Sequence, residues 1–352
     1  MVRILPGLLL ALGLAIIGHY LANLIGITWM GLPKSPVSPI MMAILLGILI
    51  RNVAHLPDWF DPGIRFSLVR ILRLGIILLG IRLSLSEMGD IGLKSLPVII
   101  GCVTVALLTV SYISKRIGLS ARLGTLIAAG TGICGATAIV ALAPTIKAKH
   151  DEVAYAVACI TIFGVIAMLV YPFAAHWMFA ADSFRSGLFL GTAVHETAQV
   201  AGAGLVYQEY FDDTSVLNTA TVTKLVRNLG MLVVIPLMSI VYHRSEAGEG
   251  QVPKWWTMIP LFVVGFALMS LLRTVGDMGD MAFGVLEPEQ WKWLVSTIKK
   301  TAEIFLGIAM AAVGLGTSLA GLRKIGIRPF GVGLFSALLV GVVSYLLISL
   351  LY

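Results

Sequence analysis

Four ionisable side chains lie within two apolar stretches of this chain, where their types and spacing could support chemistry. His195 and Glu196 lie in GTAVHETAQ, and Lys224 and Arg227 lie in TATVTKLVRN. An ionisable group at membrane depth is costly, so each of the four is a functional candidate by default. His195 can titrate near neutral pH and the adjacent Glu196 carboxylate can tune it, so this pair is a candidate for ion coupling.

The two basic residues suit an anionic ligand. Lys224 and Arg227 lie about one helical turn apart, with Asn228 near the same face. Counted from Val216, Arg227 lies ~16 Å into a hydrocarbon core of ~30 Å, so it is harder than Lys224 to rescue by snorkelling. One alternative is that either cation pairs with Glu196 and is structural. Another is that it replaces a coupling ion.

A glycine- and threonine-rich run, GTGICGAT at 130–137, supplies further candidates. Its threonines and cysteine are spaced i, i+3, i+6, which places them on roughly one helical face. Its glycines let backbone amides approach a ligand closely, and helix ends at a break present N–H groups that favour an anion. The alternatives are close packing of small residues and a cysteine that only fills space. The substrate-binding candidates are Thr131, Gly132, Cys134, Gly135 and Thr137.

The run at 191–199 adds Thr192 and Gln199, which share a helical face with His195. Its HETAQ string is half of a zinc-protease HExxH motif, but Gln199 stands where the second histidine should be. The run at 130–137 also lacks the Lys-Ser/Thr of a phosphate-binding loop. We therefore expect no catalytic residues, no metal and no cofactor. The alternative for the second run is a buried polar cluster that only ties the structure together.

Composition predicts that these runs lie in a membrane. The chain is 58% hydrophobic and 12% charged with a mean hydropathy of +0.96, whereas a soluble domain has about 25% charged residues. We predict one all-α polytopic domain over 1–352 with about nine full transmembrane helices and two broken or re-entrant segments. The nine apolar stretches are 4–26, 38–55, 67–86, 92–113, 152–175, 216–242, 255–272, 301–319 and 326–351.

Charge distribution predicts the orientation. The net charge of +7 comes from Lys and Arg in short loops, where they set membrane topology and do not indicate nucleic-acid binding. The pattern places the N-terminus in the cytoplasm and the C-terminus outside. The three cysteines lie inside apolar segments, so we expect no disulfide framework.

The two broken segments, 120–148 and 184–210, are each interrupted by one of the polar runs. Non-helical backbone cannot face lipid, and paired breaks are typical of a transporter binding site. Basic residues flank the first segment and acidic residues flank the second. The flanks favour two re-entrant hairpins that enter from opposite faces, and full crossing by both segments is the alternative. The two topologies differ only in the side on which 147–185 lies.

Weak internal repeats suggest a two-fold design. GTGICGATAIVA at 130–141 aligns with GTAVHETAQVAG at 191–202, and 80–94 aligns with 314–328. The predicted topology makes these repeats inverted, with halves of approximately 1–175 and 176–352. Chance similarity between apolar sequences is the alternative.

GTGICGATAI, GTAVHETAQVAGAG and TVTKLVRN resemble the signatures of the YeiH-like bacterial inner-membrane proteins, often labelled putative sulfate exporters. The resemblance covers nearly the whole chain and implies location in the bacterial inner membrane. It also implies kinship with the cation–proton antiporter and bile-acid symporter superfamily, whose fold has inverted repeats, a core domain with broken crossing helices, and a panel domain. This kinship favours crossing helices over hairpins.

These observations lead to one expected function. We expect a secondary active transporter of a small anion, such as a sulfate-like ion, a sulfonate or a carboxylate, coupled to H⁺ or Na⁺ by alternating access. An anion channel and an intramembrane enzyme are the alternatives. The expected partners are the small anionic solute and the lipid bilayer, with no nucleic acid, and a homodimer stays open.

Overall fold

The computed structural model describes residues 3–29, 38–54, 56–245, 260–279, 281–318 and 327–352. Throughout this part of the chain the regular structure is helical, apart from one isolated antiparallel bridge between Ala282 and Leu286. The predicted all-α class is therefore confirmed.

The helices follow one another closely along the sequence. The first eight are α1 (Leu5–Asn23), α2 (Pro39–Val53), α3 (Asp61–Phe66), α4 (Leu72–Leu79), α5 (Leu85–Val105), α6 (Ser111–Arg116), α7 (Ala121–Gly132) and α8 (Ala136–Leu142). The next eight are α9 (His150–Met178), α10 (Ser183–Ala193), α11 (Thr197–Phe211), α12 (Thr214–Leu229), α13 (Met231–Ser245), α14 (Leu261–Gly276), α15 (Pro288–Gly316) and α16 (Ile327–Leu351).

Short π-helical segments continue several of these helices. They extend α1 to Trp29, join α3 to α4, and join α5 to α6. Two 3₁₀ turns, Asp58–Phe60 and Gly80–Arg82, precede α3 and follow α4.

Within the described residues, five helical stretches, one of them with a turn at Gly230, are long and apolar enough to cross a membrane, judged by length and composition. Two shorter apolar helices, Pro39–Val53 and Leu261–Gly276, accompany them. The count of nine full spans stays a prediction, as do the locations of the two termini. The five stretches are Leu5–Trp29, Leu85–Arg116, His150–Met178, Thr214–Tyr242 and Ile327–Leu351.

The two largest differences from the observed helices concern the predicted stretches 301–319 and 216–242. The stretch 301–319 is the end of a helix that begins at Pro288, because Glu287 and Gln290 form a capping box there. The stretch 216–242 divides at Gly230, which is a turn between α12 and α13. The first residues of 255–272, at 255–259, lie outside the described residues, as do 319–326 of the repeat 314–328.

The chain packs into two compact units. The first unit is Met1–Asp90, Gly204–Asn218 and Leu261–Leu319, and the second unit is Ile91–Ala203, Thr219–Pro260 and Ala320–Tyr352. Each unit draws on both predicted halves, 1–175 and 176–352. The inverted relation of those halves stays a prediction.

Glycine pairs set the helix crossings of the first unit. A Cβ on Gly47 of α2 would lie 2.9 Å from the Cα of Gly314 of α15. A Cβ on Gly7 of α1 would lie 2.8 Å from the Cα of Gly63 of α3. Such approach between backbones requires glycine, and it is how helices pack closely in a membrane.

The second unit buries its two broken helices. In α7 every residue from Leu123 to Gly132 is buried, and in α10 every residue from Ser186 to Ala193 is buried. Around them, α16 packs against α7, α9 and α10. Because both helices end within this packing, their final backbone groups are enclosed by protein, as non-helical backbone at membrane depth requires.

Candidate functional site

The first break separates α7 from α8 by three residues. Ile133 leaves the helix with φ −116° and ψ −89°, and Gly135 takes φ +73°, in the region that glycine adopts without strain. A Cβ on Gly135 would lie 2.3 Å from Cγ of Glu196. Gly135 is therefore required both by its own backbone angle and by the approach of the second break.

The second break separates α10 from α11. After Ala193 the chain becomes extended at Val194, with ψ 142°, and α11 begins at Thr197. A Cβ on Gly191 would lie 2.6 Å from Cβ of Thr223 and 2.8 Å from the carbonyl oxygen of Ala220. Because α12 lies directly on the end of α10, its basic residues can reach both breaks.

Arg227 is fully buried and hydrogen-bonds only to backbone carbonyls in the described structure. All three of its side-chain nitrogens donate. The acceptors are the carbonyl oxygens of Gly132, 2.7 Å from Nε, of Thr192, Val194 and Gly191, at 2.7, 3.0 and 3.4 Å from Nη1, and of Thr131, bonded by Nη2.

Lys224 is also fully buried and binds carbonyls of both breaks. Its Nζ lies 3.1 Å from the carbonyl oxygens of Ile133 and Val194 and donates to that of His195 as well. An ammonium group has three N–H donors and no acceptor, so these three carbonyls satisfy it. The ammonium group does not snorkel, which removes that alternative.

These contacts bring positive charge to the C-terminal ends of two helices. The last carbonyls of a helix lack intrahelical partners and carry about half a negative charge in total. Lys224 and Arg227 place positive charge at the C-terminal ends of both α7 and α10. They therefore hold the two breaks together and neutralise them. Their predicted role as direct substrate ligands stays a prediction. Among the described residues their hydrogen bonds go to backbone carbonyls and not to Glu196, the structural partner that the sequence analysis considered.

The starts of α8 and α11, which follow the breaks, differ from the buried ends of α7 and α10 because they reach accessible surface. Thr137 is exposed, and Ala136, Glu196 and Thr197 are partly exposed. The Glu196 carboxylate lies close to the Ala136 N–H, so this side chain sits at the start of α8. The accessible part of the site thus combines backbone N–H groups, threonine hydroxyls and one carboxylate.

Two residues position Glu196. Thr161 of α9 approaches with its hydroxyl 3.3 Å from Oε1 of Glu196. Gln199 accepts the Glu196 backbone N–H at 3.0 Å and donates to the Thr161 carbonyl at 3.1 Å. Thr161 was not predicted, because a single threonine in a long apolar helix carries no distinguishing pattern.

Several buried polar atoms in this region have no hydrogen-bond partner among the described residues. They are Thr131 Oγ1, His195 Nε2, Thr223 Oγ1 and Asn228 Oδ1. An unsatisfied buried polar atom costs about 1–3 kcal/mol, so this region retains capacity to bind a ligand or water. Asn228 also donates to the Thr197 hydroxyl at 3.2 Å, which links α12 to the accessible side.

Other predicted site residues take part in packing. The Thr192 hydroxyl lies 2.7 Å from the Leu188 carbonyl and 2.6 Å from the Ser344 hydroxyl of α16. The Cys134 thiol lies 3.3 Å from Sδ of Met231. Gly132 contributes its carbonyl to Arg227. In the described residues, no three His, Cys, Asp or Glu side chains are grouped closely enough to hold a metal ion.

A further buried cation lies in the first unit and was not predicted. Arg82, with 5% of its side chain exposed, donates to Glu303 and to Oε1 of Gln208 at 3.0 Å. Gln208 donates to the same Glu303 oxygen at 3.2 Å. Because these residues are far apart in sequence and lie near the ends of their apolar stretches, no local pattern connects them.

Comparison with known proteins gives one family. The family model described as "Conserved hypothetical protein 698" matches residues 6–333. A UPF0324 membrane protein of Bartonella henselae is 34% identical over 349 residues, which is 98% of this chain and 92% of the relative. One from Streptococcus agalactiae is 32% identical over 326 residues, 92% of this chain and 90% of the relative.

A third relative, the UPF0324 membrane protein of Bacillus cereus, is 31% identical over 344 residues, which is 97% of this chain and 93% of the relative. No solved structure matches the chain.

Proposed function

The chain belongs to the UPF0324 family of membrane proteins, and from this premise we propose that it is a secondary transporter of a small anion coupled to protons. The proposal rests chiefly on one observation. Two broken helices end beside each other inside one unit, and the Glu196 carboxylate lies close to the N–H group that begins the half-helix after the first break.

Paired breaks give a transporter the chemistry that it needs at membrane depth. Each break frees backbone groups that a continuous helix would satisfy internally, and such groups bind ions and small solutes. Here Lys224 and Arg227 take the freed carbonyls. The freed N–H groups on the other side of the breaks are the groups that suit an anion.

Glu196 acts in this proposal as a tethered competitor of the substrate. Its carboxylate lies close to the Ala136 N–H and 3.3 Å from the Thr161 hydroxyl. A substrate oxyanion that needs the same donors must displace this carboxylate, and two negative charges in one place repel each other. The exposed Thr137 and the partly exposed Thr197 supply further donors for the oxyanion.

Protonation resolves this competition. When Glu196 binds a proton it becomes neutral, so it no longer repels an anion and releases the Ala136 N–H. The titratable groups around it include Lys224 and Cys134, which interact with it electrostatically, and its sequence neighbour His195. Substrate binding and proton binding at Glu196 then favour each other, which is the linkage that a proton-coupled anion transporter requires.

Proteoliposomes test this proposal. We expect purified protein to take up one of a panel of radiolabelled anions (sulfate, sulfite, a sulfonate, small carboxylates) with saturation, and faster when the outside is acidic. Glu196→Gln should keep uptake but flatten its pH dependence, whereas the native chain should gain affinity by up to about tenfold per unit fall in pH.

Glu289→Gln, on an exposed residue near the start of α15, is the matched control and should keep the native pH profile. Uptake without saturation or counterflow would indicate a channel. An unchanged pH profile in Glu196→Gln would remove Glu196 from the coupling step.

A further inference from the structure

The carbonyl clusters between the two breaks resemble a site for a coupling cation. In transporters with broken helices, Na⁺ is held by unwound backbone carbonyls and by the C-terminal ends of half-helices. The same groups occur here at the ends of α7 and α10. Lys224 and Arg227 already donate hydrogen bonds to carbonyls at these helix ends, so positive charge occupies the positions where a coupling cation would bind.

We propose that Lys224 and Arg227 are permanent, covalently attached replacements for coupling cations, and that transport at this site requires no Na⁺ or other metal cation. The inference rests on the proposed function, since it defines how that transport is coupled. It follows from the geometry of the two side chains and from the number of carbonyls that they engage.

The Lys224 ammonium has the surroundings of a bound monovalent cation. Its Nζ lies among carbonyl oxygens of Ile133, Val194 and His195, which come from both breaks. Backbone carbonyls are among the oxygen ligands that bind hard cations. A sodium ion at this position would have to displace an ammonium group that is tied to the protein.

Arg227 prevents a metal cation from binding beside the Lys224 ammonium group. Its Nη1 shares the Val194 carbonyl with Lys224, at 3.0 Å against 3.1 Å. Its other contacts cover the carbonyls of Gly132, Thr192 and Thr131. A metal ion entering here would meet two fixed positive charges in a poorly solvated region, where like charges repel strongly.

A tethered cation cannot be driven by a concentration gradient. A dissolved ion contributes to transport because its occupancy changes between the two sides of the membrane. Lys224 and Arg227 cannot leave their helix, so their occupancy is constant. The helix ends therefore stay neutralised throughout the cycle, and the proton at Glu196 remains the exchangeable charge.

The native protein provides the first test. Thermal unfolding of detergent-purified protein should give the same midpoint in sodium, potassium and choline chloride at equal ionic strength. Anion uptake should likewise proceed at the same rate when choline replaces Na⁺. A midpoint that rises specifically with Na⁺, or uptake that stops without it, would overturn the proposal.

Lys224→Ala provides the second test, because it empties a cation site that the native chain keeps filled. We expect this variant to be stabilised by methylammonium or Na⁺, with a rise of about 3 °C or more at saturating cation, since a ligand that binds only the folded state raises its stability. Lys115→Ala, on an exposed lysine at the end of α6, is the control and should show no such rise.

No stabilisation of a folded Lys224→Ala by any of these cations would count against the carbonyl cluster as a cation site. If that variant does not fold, the measurements on the native protein still decide. These stability readouts need no substrate. Failure to find a transported anion would therefore contradict the proposed function without altering the result on cation replacement.

Discussion

The protein stabilises buried cationic side chains in two different ways. In the second unit, Lys224 and Arg227 have no exposed surface and are held by backbone carbonyls at helix ends. In the first unit, Arg82 is held by the carboxylate of Glu303 and the amide of Gln208. Lys224 and Arg227 neutralise the C-terminal ends of helix dipoles, whereas Arg82 neutralises the Glu303 carboxylate.

The difference determines what each cation can do. A carbonyl cannot be protonated or moved without breaking its helix, so Lys224 and Arg227 define a fixed geometry. Glu303 is 39% exposed and can exchange its partner for water. We therefore expect the first arrangement to be essential for the fold of the site and the second to be adjustable.

The largest expected effect is that of Arg227→Ala. It removes five carbonyl contacts at both breaks, and each buried acceptor left without its partner costs about 1–3 kcal/mol. We expect a strongly lowered unfolding midpoint and no anion transport. Arg227→Lys should recover part of the stability, because one ammonium cannot reach all the carbonyls that a planar guanidinium spans.

Differential scanning fluorimetry and uptake measurements on these two variants test the effect. Normal transport by a folded Arg227→Ala would show that the breaks do not depend on this cation.

Gly135→Ala should have the next largest effect. The new methyl group would meet Glu196 Cγ at 2.3 Å in a backbone conformation with φ +73°, and strain of this kind costs about 1–3 kcal/mol before the clash is counted. We expect loss of transport with helix content retained, measured by uptake and circular dichroism.

Gly89→Ala is the matched control for that variant. Gly89 lies within α5, and a Cβ there meets no atom within 4 Å. Alanine is favoured over glycine in a helix by roughly 0.5–1 kcal/mol, so this change should be neutral or stabilising. Equal loss of function in both variants would remove the steric argument at the first break.

Arg82→Met should cost less than Arg227→Ala. The Glu303 carboxylate that it leaves is partly exposed, so water can solvate it, and we expect a loss of about 1–2 kcal/mol. The double variant Arg82→Met, Glu303→Met should recover part of this loss. A double-mutant cycle on the unfolding midpoints measures the coupling, and a coupling of zero would show that the ion pair contributes nothing.

The smallest expected effect on transport is that of a single cysteine substitution, Lys147→Cys or Lys149→Cys. Neither change should alter transport, but each reports the side on which the segment after α8 lies. The flanking charges predict that both positions resist an impermeant thiol reagent added from outside. The native cysteines 102, 134 and 159 are buried, so the unmodified chain is the background control. Labelling from outside would favour segments that cross fully.

The segments of the site could be predicted from the sequence better than the contacts within it. Hydropathy and glycine content were enough to locate both breaks, because a break in an apolar stretch is a local pattern. They also identified Lys224, Arg227 and Glu196 as unusual, because a buried charge is rare. The structure brings these residues together in one unit.

The hydrogen-bond acceptors of Lys224 and Arg227 could not be predicted from the sequence. Their contacts are backbone carbonyls, and every residue has one, so no residue type marks the acceptor. For the same reason the sequence did not indicate that Thr161 of α9 would approach Glu196, or that Arg82 would meet Glu303 from a distant helix.

The most direct test of the account is the position of a bound anion. An experimental structure with selenate, an electron-dense sulfate analogue, at acidic pH would locate it by anomalous scattering. We predict selenate beside Ala136, Thr137 and Thr197, with Glu196 displaced and with Lys224 and Arg227 still bonded to their carbonyls. Selenate bonded directly to the Arg227 guanidinium, with the carbonyls of α7 and α10 released, would contradict the account.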